Sequence, residues 1–362
     1  MNPAIYQQLF VGSMASIALV MGGMRLASPD GRYKEAGSSL ILPLALCSFL
    51  VLWIGLRPIS GAFGDMVNYA LEYSRLDPHH ISVNWGGEWI WQWLMNGCKA
   101  AGLSVNAFFL LIAAGYILSA LFAINRLMPS DPMLGLVFLL CSLMFFPFAV
   151  NGLRNGLACH LLLLGATLLL DDKWIWGAVL CLTALGIHRS VMLPLAAILI
   201  GVFLVRDVKF AIVFWVVSIM ISLVAGDYVA EFFAGLGFDD RMTQYVNIDN
   251  MEEFSREGFR WDFLLYSAFP VLMTWYICIR QKCSDNWYNV LCITYLFCNA
   301  FWIMVIRSAF SNRFAYLSWF LYPVIIAYPL VNRRICAEQD RFTGWILLAY
   351  AGFSVFMWFV FW

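Results

Sequence analysis

Five arginines are the residues best suited to chemistry in this chain, because each stands at or just inside the end of a long apolar run. They are Arg57, Arg154, Arg189, Arg307 and Arg313. A guanidinium group presents a planar fork of donors that grips a phosphate with two hydrogen bonds, and it keeps its charge. If they converge, these arginines form a cationic pocket for a phosphorylated ligand. Alternatively, any one of them reaches the lipid headgroups, which costs little near a helix end.

Arg154 is the arginine with the most informative surroundings. It lies in the stretch NGLRNGLACH (151–160), between two runs that are almost entirely apolar. Gly152 and Gly156 flank it, and glycines permit a close approach of helices or a broken helix. The pattern therefore favours a functional role for Arg154 over simple contact with headgroups.

His188 is the first candidate for a general base. It lies in GIHRS (186–190), next to Arg189, and an imidazole can exchange protons near neutral pH. Asp65 is the second candidate, in a polar stretch that follows an early apolar run. The alternative for His188 is a histidine that only hydrogen-bonds the end of a helix.

Long apolar segments must position these polar residues, because 62% of the chain is hydrophobic, 12% is charged and the mean hydropathy is +0.78. A bilayer core about 30 Å thick needs roughly 20 apolar residues per helix. The segments that approach this length lie near 5–25, 38–56, 104–125, 132–150, 155–170, 174–187, 191–205, 210–226, 262–280, 287–306, 314–332 and 343–361. The sequence therefore predicts an all-α, polytopic membrane protein of about twelve helices, with one transmembrane domain over 1–362.

The basic residues predict the orientation of these helices. Of the 22 lysines and arginines, the short loops after odd-numbered segments hold the larger share, including four of the five lysines. Basic residues in short loops mark the cytoplasmic side. We therefore predict that both termini are extracytoplasmic and that the five arginines lie at the external membrane surface.

Two segments on the predicted external side are long enough to bind a ligand. The first, 57–103, places Trp85, Trp89, Trp91 and Trp93 close together, and the second, 227–261, is acidic and polar. The tryptophans fit either an interfacial aromatic belt or a platform on which sugars stack, with Trp85 and Trp89 as the candidates. The second segment fits either a mobile lid or a solvated connector.

Other kinds of site are not indicated by the sequence. The ten cysteines contain no CxxC pair, and no nucleotide-binding or hydrolase motif occurs. Acidic residues are spread through the two long segments instead of clustering beside the arginines, so we expect no metal and no cofactor. The net charge of zero argues against a nucleic-acid partner.

Four short motifs occur in a defined order along the chain. They are Arg57 with Asp65-x-x-x-Tyr69, LRN at 153–155, His188-x-Ser190, and Asn312-Arg313-x-x-Tyr316. In this order the sequence resembles the EpsG branch of the Wzy-type polysaccharide polymerases. One departure is Asn155, where the family pattern favours Gln.

The resemblance implies a lipid-linked, GT-C-like glycosyltransferase at the outer face of the bacterial plasma membrane. Its substrates would be a donor and an acceptor oligosaccharide carried on undecaprenyl diphosphate, and a chain-length regulator protein would be a further partner. Arg154, Arg307 and Arg313 would bind the diphosphate, supported by Arg57 and Arg189. His188 or Asp65 would be the base, and Asn68, Tyr69, Trp85 and Trp89 would bind sugars.

Three other functions remain open. A ligase that hands finished glycan to another molecule would use the same donor chemistry. A flippase or transporter of lipid-linked oligosaccharide would place ionisable residues near the bilayer midplane, whereas here they cluster at one face. A membrane acyltransferase would normally take its donor from the cytoplasm, which disagrees with an outward-facing His188.

Overall fold

The computed structural model describes residues 2–28, 39–81, 83–235, 258–283, 285–307 and 311–361, and these residues form helices with no strand. The helices are α1 Tyr6–Ala27, α2 Ile41–Gly55, α3 Met66–Arg75, α4 Trp89–Ala100, α5 Val105–Leu127, α6 Pro132–Leu140, α7 Phe145–Val150, α8 Leu153–Leu170, α9 Trp174–Ile187, α10 Met192–Leu199, α11 Val208–Gly235, α12 Trp261–Thr274, α13 Asn286–Met304, α14 Ser311–Trp319, α15 Tyr322–Asn332 and α16 Gln339–Phe361. Most of the second long segment, 227–261, lies outside the described residues.

Every predicted apolar segment contains helix, but the segments differ in length and continuity. Among the described residues, eight helical stretches are long and apolar enough to cross a membrane. Three further apolar helices are shorter, Ile41–Gly55, Trp174–Ile187 and Arg189–Leu204, and the segment 132–150 is divided into α6 and α7. The structure therefore supports a polytopic helical membrane protein and does not establish twelve spanning helices.

The backbone contacts divide the chain into two compact units. The first unit comprises residues 1–188 and 327–362, and the second comprises residues 189–326. Eight of the eleven candidate site residues belong to the first unit: Arg57, Asp65, Asn68, Tyr69, Trp85, Trp89, Arg154 and His188. Arg189, Arg307 and Arg313 belong to the second unit.

Helix α8 is central to the first unit because it packs along both α5 and α9. The contact with α9 is close at Gly165, where an added Cβ atom would lie 3.1 Å from the carbonyl oxygen of Gly177. Small residues at such crossings let helix backbones approach and gain dispersion contacts, since apolar burial drives little association inside a lipid phase. This packing holds the ends of α8 and α9 in register, which places Arg154 and His188.

One end of the first unit is closed by a buried ion cluster. Arg25, near the end of α1, pairs with Asp131, and its Nη1 atom lies 3.3 Å from Asp340 in the first turn of α16. Asp131 also caps α6, accepting a hydrogen bond from the Leu134 N–H at 3.0 Å. Arg25 is only 4% exposed, so it is a structural residue of the bundle.

The first long segment, 57–103, contains two helices that the apolar pattern does not reveal. Helices α3 and α4 each bury one face and expose the other, with Tyr69, Tyr73 and Trp91 among the buried residues. The Tyr73 hydroxyl donates a 2.8 Å hydrogen bond to the Leu103 carbonyl, which ties α3 to the turn between α4 and α5. The segment is therefore a folded cover over one end of the first unit.

The second unit is organised around α13, which packs against α10, α11, α12 and α14. A buried polar network fixes this packing: Asn299 accepts a 2.7 Å hydrogen bond from Trp215 Nε1 and donates to the hydroxyls of Ser267 at 3.1 Å and Ser318 at 2.9 Å. Buried polar groups need such partners, because leaving one unpaired costs about 1–3 kcal/mol. The network accounts for these polar residues inside an apolar bundle.

Candidate functional site

The stretch around Arg154 forms a sharp turn between two helices. Helix α7 ends at Val150, and α8 begins three residues later at Leu153, which makes Arg154 the second residue of α8. Gly156 is required here, since an added Cβ atom would lie 2.8 Å from the Phe148 carbonyl oxygen. The turn places Arg154 at the N-terminal end of an 18-residue helix, where unpaired N–H groups and the helix dipole favour anions.

Glu88 is the residue around which the site is built. Its Oε2 atom accepts a hydrogen bond from Arg154 Nη1, and its Oε1 atom contacts His188 Nδ1. The three residues come from different elements, because Glu88 immediately precedes α4, Arg154 lies in α8 and His188 immediately follows α9. One carboxylate thus binds a guanidinium and an imidazole, and their side chains are only 16–20% exposed.

The surroundings of Glu88 keep its carboxyl group ionised. Burial raises its pKa, but hydrogen bonds and charge interactions with His188 and Arg154 lower it more, so the pKa of Glu88 lies below its ordinary value. The pairing of Glu88 with Arg154 and His188 is therefore fully present at every pH above the ordinary pKa of glutamate. It is lost only when the pH falls through this lowered value.

An ionised Glu88 determines the tautomer of His188. A carboxylate only accepts hydrogen bonds, so Nδ1 must carry the proton that it donates to Glu88. The other ring nitrogen, Nε2, then has a lone pair, and it makes no hydrogen bond to any described residue. This arrangement is that of a general base whose orientation is fixed by a carboxylate.

Tyr69 provides the second contact to Arg154. Its hydroxyl accepts a 3.2 Å hydrogen bond from Arg154 Nε, and its ring lies 5.6 Å from the guanidinium carbon. Tyr69 is itself buried against Trp91, with ring centroids 5.4 Å apart. Arg154 thus has a fixed orientation, and its Nη2 group makes no hydrogen bond to any described residue.

Asp65 lies one turn before Tyr69, at the start of α3. Its backbone N–H donates a 2.9 Å hydrogen bond to Asn151, and its side chain accepts from Asn68 at 3.3 Å. The preceding Gly64 has a φ of 60° and lies so close to Asn151 that a Cβ atom would clash at 2.5 Å. Asp65 and the exposed Asn68 are therefore tied to the turn that carries Arg154, and His188 is the candidate base with a carboxylate partner.

Arg57 has surroundings unlike those of Arg154. Its Nη1 and Nη2 atoms donate hydrogen bonds to the carbonyls of Ile54 at 2.7 Å and Val150 at 3.0 Å. The guanidinium lies 5.5 Å from the rings of both Phe63 and Phe109, and the residue is 2% exposed. Arg57 therefore braces the ends of α2 and α7 against each other, and any support that it gives to a ligand is indirect.

The four tryptophans of the first long segment divide into two groups. Trp91 is buried, and it packs on Tyr69 and Phe108. Trp85 is exposed and lies beside the half-buried Trp89, with ring centroids 5.6 Å apart, whereas Trp93 is exposed farther along α4. The pair Trp85–Trp89 is close to Glu88 in sequence and offers the aromatic surface that a sugar ring would need.

The three candidate arginines of the second unit differ in burial. Arg189 is exposed at the first residue of a 3₁₀ turn, whereas Arg307 and Arg313 are half-buried. An added Cβ atom at Gly226 would lie 3.3 Å from Arg307 Nε, so the side chain of Arg307 passes close to the kink that α11 makes at Ala225. Arg313 is the third residue of α14.

Glu88 is the site residue that sequence reasoning did not identify. It is separated from Arg154 by 66 residues and from His188 by 100, so no local motif connects them. One signal was available, because Glu88 is the only acidic residue between Asp77 and Asp131. Across the part of the chain that the structure describes, no three His, Cys, Asp or Glu residues are grouped so that they could hold a metal ion.

Comparison with known proteins identifies the family. No curated protein and no solved structure matches the chain. The family model of EpsG matches residues 40–362, which include Glu88, Arg154, His188 and every other candidate site residue. Since this match extends over far more than half of the sequence, the chain belongs to the EpsG family.

Proposed function

We propose that this protein polymerises oligosaccharide repeat units linked to undecaprenyl diphosphate, by glycosyl transfer at the outer face of the bacterial plasma membrane. Membership of the EpsG family supports a polysaccharide polymerase-like role, and the apolar helices support a location in the membrane. The observation that carries the proposal is the shared carboxylate of Glu88, which holds an anion-binding arginine and an oriented imidazole in one site.

The proposed reaction uses the two partners of Glu88 for two different tasks. A hydroxyl of the acceptor sugar attacks C1 of the donor sugar and forms the new C–O bond. The bond between C1 and the diphosphate oxygen breaks, and its electron pair leaves with undecaprenyl diphosphate. His188 Nε2 takes the proton of the attacking hydroxyl, and Glu88 stabilises the resulting imidazolium.

Arg154 is assigned to the leaving group in this proposal. Negative charge grows on the diphosphate as the bond to C1 breaks, and a prepositioned guanidinium stabilises that charge more than it stabilises the ground state. Its open Nη2 group, next to the N-terminus of α8, is available to a phosphate oxygen. Trp85, Trp89 and the exposed Asn68 are assigned to sugar binding, because Trp89 adjoins Glu88, Trp85 packs on Trp89, and Asn68 adjoins Tyr69. The predicted sugar-binding role of Tyr69 is replaced by a positioning role, because Tyr69 is buried and its hydroxyl contacts Arg154.

Arg307 and Arg313 are also assigned to the diphosphate, because of their residue type and the family motif that contains Arg313. The test is to replace each with alanine and measure polymer yield and length. Unchanged polymer in the double variant would remove these two residues from the assignment and leave that of Arg154 to its own test.

The direct experiment is reconstitution. Purified protein in lipid vesicles, given undecaprenyl-diphosphate-linked repeat units, is expected to produce a ladder of longer lipid-linked glycans. We expect the same ladder in excess EDTA, because arginines supply the positive charge at the diphosphate. Loss of activity in EDTA with rescue by magnesium or manganese would contradict a metal-independent reaction.

A ligase is the second candidate, because it would use the same donor and the same residues. Deleting the gene distinguishes the two, as a missing polymerase leaves glycans with a single repeat unit. A missing ligase leaves full-length glycan on the lipid carrier. Accumulation of repeat units at the inner face of the membrane would instead indicate a flippase.

A further inference from the structure

Glu88 occupies the place on Arg154 where an anionic ligand would bind. Its carboxylate accepts a hydrogen bond from Nη1 of the guanidinium, while the Tyr69 hydroxyl accepts one from Nε at 3.2 Å. The same carboxylate also contacts His188, so one negative charge is divided between two partners. Any anion that takes over Nη1 must therefore change the contact between Glu88 and His188.

We propose that Glu88 is an internal substitute for the donor diphosphate: it holds Arg154 in the empty site, gives up that arginine when the diphosphate arrives, and then acts on His188 alone. This inference rests on the proposed function. It makes Glu88 a positioning residue that couples donor binding to activation of the base.

The first half of the coupling follows from the cost of an unpaired charge. Arg154 is mostly buried, and a buried guanidinium without a counter-ion is strongly destabilising, so the empty site needs Glu88 beside it. A diphosphate offers more negative charge and more acceptor oxygens than one carboxylate, and it matches the planar fork of arginine. The diphosphate is therefore able to replace Glu88 on Arg154.

The second half follows from what the displaced carboxylate does next. When Arg154 no longer neutralises Glu88, the whole negative charge of Glu88 acts on the imidazole. Such a carboxylate stabilises the imidazolium that forms when His188 accepts a proton from the acceptor hydroxyl. The base is thus strongest once the donor is in place.

The test compares ligand binding with turnover in the Glu88→Gln variant. The probe for binding is geranylgeranyl diphosphate, a short lipid diphosphate without a sugar, added to the purified full-length protein in detergent. We expect the variant to bind the probe about 5-fold more tightly, because the neutral amide no longer competes for Arg154. We expect turnover to fall about 100-fold or more, because the imidazole loses its charged partner.

The opposite signs of these two effects separate the proposal from a purely structural role, which would impair binding and turnover together. Weaker probe binding in a folded Glu88→Gln variant would overturn the proposal. The control is Asp172→Asn, which neutralises an exposed carboxylate in the turn after α8, at the opposite end of that helix from Arg154, and is expected to change neither quantity.

A second measurement uses the wild-type protein and does not depend on the folding of a variant. The chain has four histidines, which can be labelled with nitrogen-15 and assigned with His188→Gln. The Nδ1 resonance of His188 is expected to shift toward a stronger hydrogen bond when the probe binds. An unchanged resonance at saturating probe would overturn the proposal.

The Arg154→Ala variant distinguishes failure of this inference from failure of the proposed function. If that variant binds the probe as well as the wild type, Arg154 is not the diphosphate site and the proposed function fails at this residue. If it loses binding while Glu88→Gln also binds more weakly, the diphosphate site stands and only the substitution by Glu88 is wrong.

Discussion

Arg25 contacts Asp131, which precedes α6, and Arg154 lies just after α7. Both arginines are paired with carboxylates, but the two pairings differ in kind. Arg25 is bound by two buried acids, Asp131 and Asp340, and its side chain is 5% exposed. Arg154 has one carboxylate, Glu88, which it shares with a histidine, and its side chain is 20% exposed. The first cluster has an excess of acid around one cation, whereas the second has two basic groups around one acid.

This difference distinguishes a structural ion cluster from a site that can accept a ligand. Two carboxylates on one guanidinium join α1, α6 and α16 and leave no demand for a further anion. One carboxylate between an arginine and a histidine leaves open hydrogen-bonding groups on both. Residue type alone does not separate the two arginines; their partners do.

The largest effect is expected from replacing His188. This substitution removes proton transfer and leaves anion binding at Arg154 in place. His188→Gln should lower turnover about 100- to 10,000-fold, the range for loss of a general base. Binding of geranylgeranyl diphosphate should be unchanged, because glutamine still donates a hydrogen bond to Glu88. The measurements are elongation rate in vesicles and probe affinity in detergent, and unaltered turnover would remove His188 as the base.

Arg25→Ala should affect folding, because it leaves two buried carboxylates without a cation. Removing one partner of a buried pair typically costs about 3–5 kcal/mol. We expect the Arg25→Ala variant to show a large loss of folded protein and a lower unfolding temperature in detergent. Neither change is expected in Arg154→Lys. A fully stable Arg25→Ala variant would mean that the cluster is not structural.

Arg154→Lys should keep the fold and lose most of the activity. A lysine keeps the charge, but it cannot form bidentate hydrogen bonds to a phosphate or contact Tyr69 and Glu88 at the same time. Loss of one donor to a developing anion typically costs about 100- to 1,000-fold in rate. Full activity in this variant would show that residue 154 supplies charge alone or reaches the headgroups.

Trp85→Ala should have a smaller effect, since it removes one face of the proposed sugar platform. We expect the acceptor concentration for half-maximal rate to rise a few-fold while the maximal rate is nearly unchanged. Trp93→Ala is the matched control, because Trp93 is similarly exposed on α4 but is not part of the ring pair that Trp85 forms with Trp89. Equal effects of both substitutions would favour a general interfacial belt over a sugar platform.

The positions of the long helices could be predicted from the sequence because an apolar run of sufficient length must form its backbone hydrogen bonds within one helix. The break between α6 and α7 could not, because Cys141–Met144 is as apolar as its flanks. Nor can helices α3 and α4 be predicted from the apolar pattern. Their apolar residues occupy one face only, so the segment reads as a polar loop.

The candidate site could be predicted only in part. Arg154 and His188 stood out because a charged or titratable residue beside an apolar run demands an explanation. Their link through Glu88 depends on how α4, α8 and α9 pack, which local patterns do not encode. For the same reason the sequence did not distinguish the bracing role of Arg57 from the open position of Arg154.

If Arg154 and His188 act as one unit through Glu88, a double-mutant cycle on elongation by the reconstituted protein will show it. The variants are Arg154→Ala, His188→Ala and the double variant, measured with undecaprenyl-diphosphate-linked repeat units in vesicles. If the two residues serve one transfer step, the double variant should lose little more than the more impaired single variant, since effects within a catalytic unit are strongly non-additive. Rate losses that multiply in the double variant would contradict a shared site.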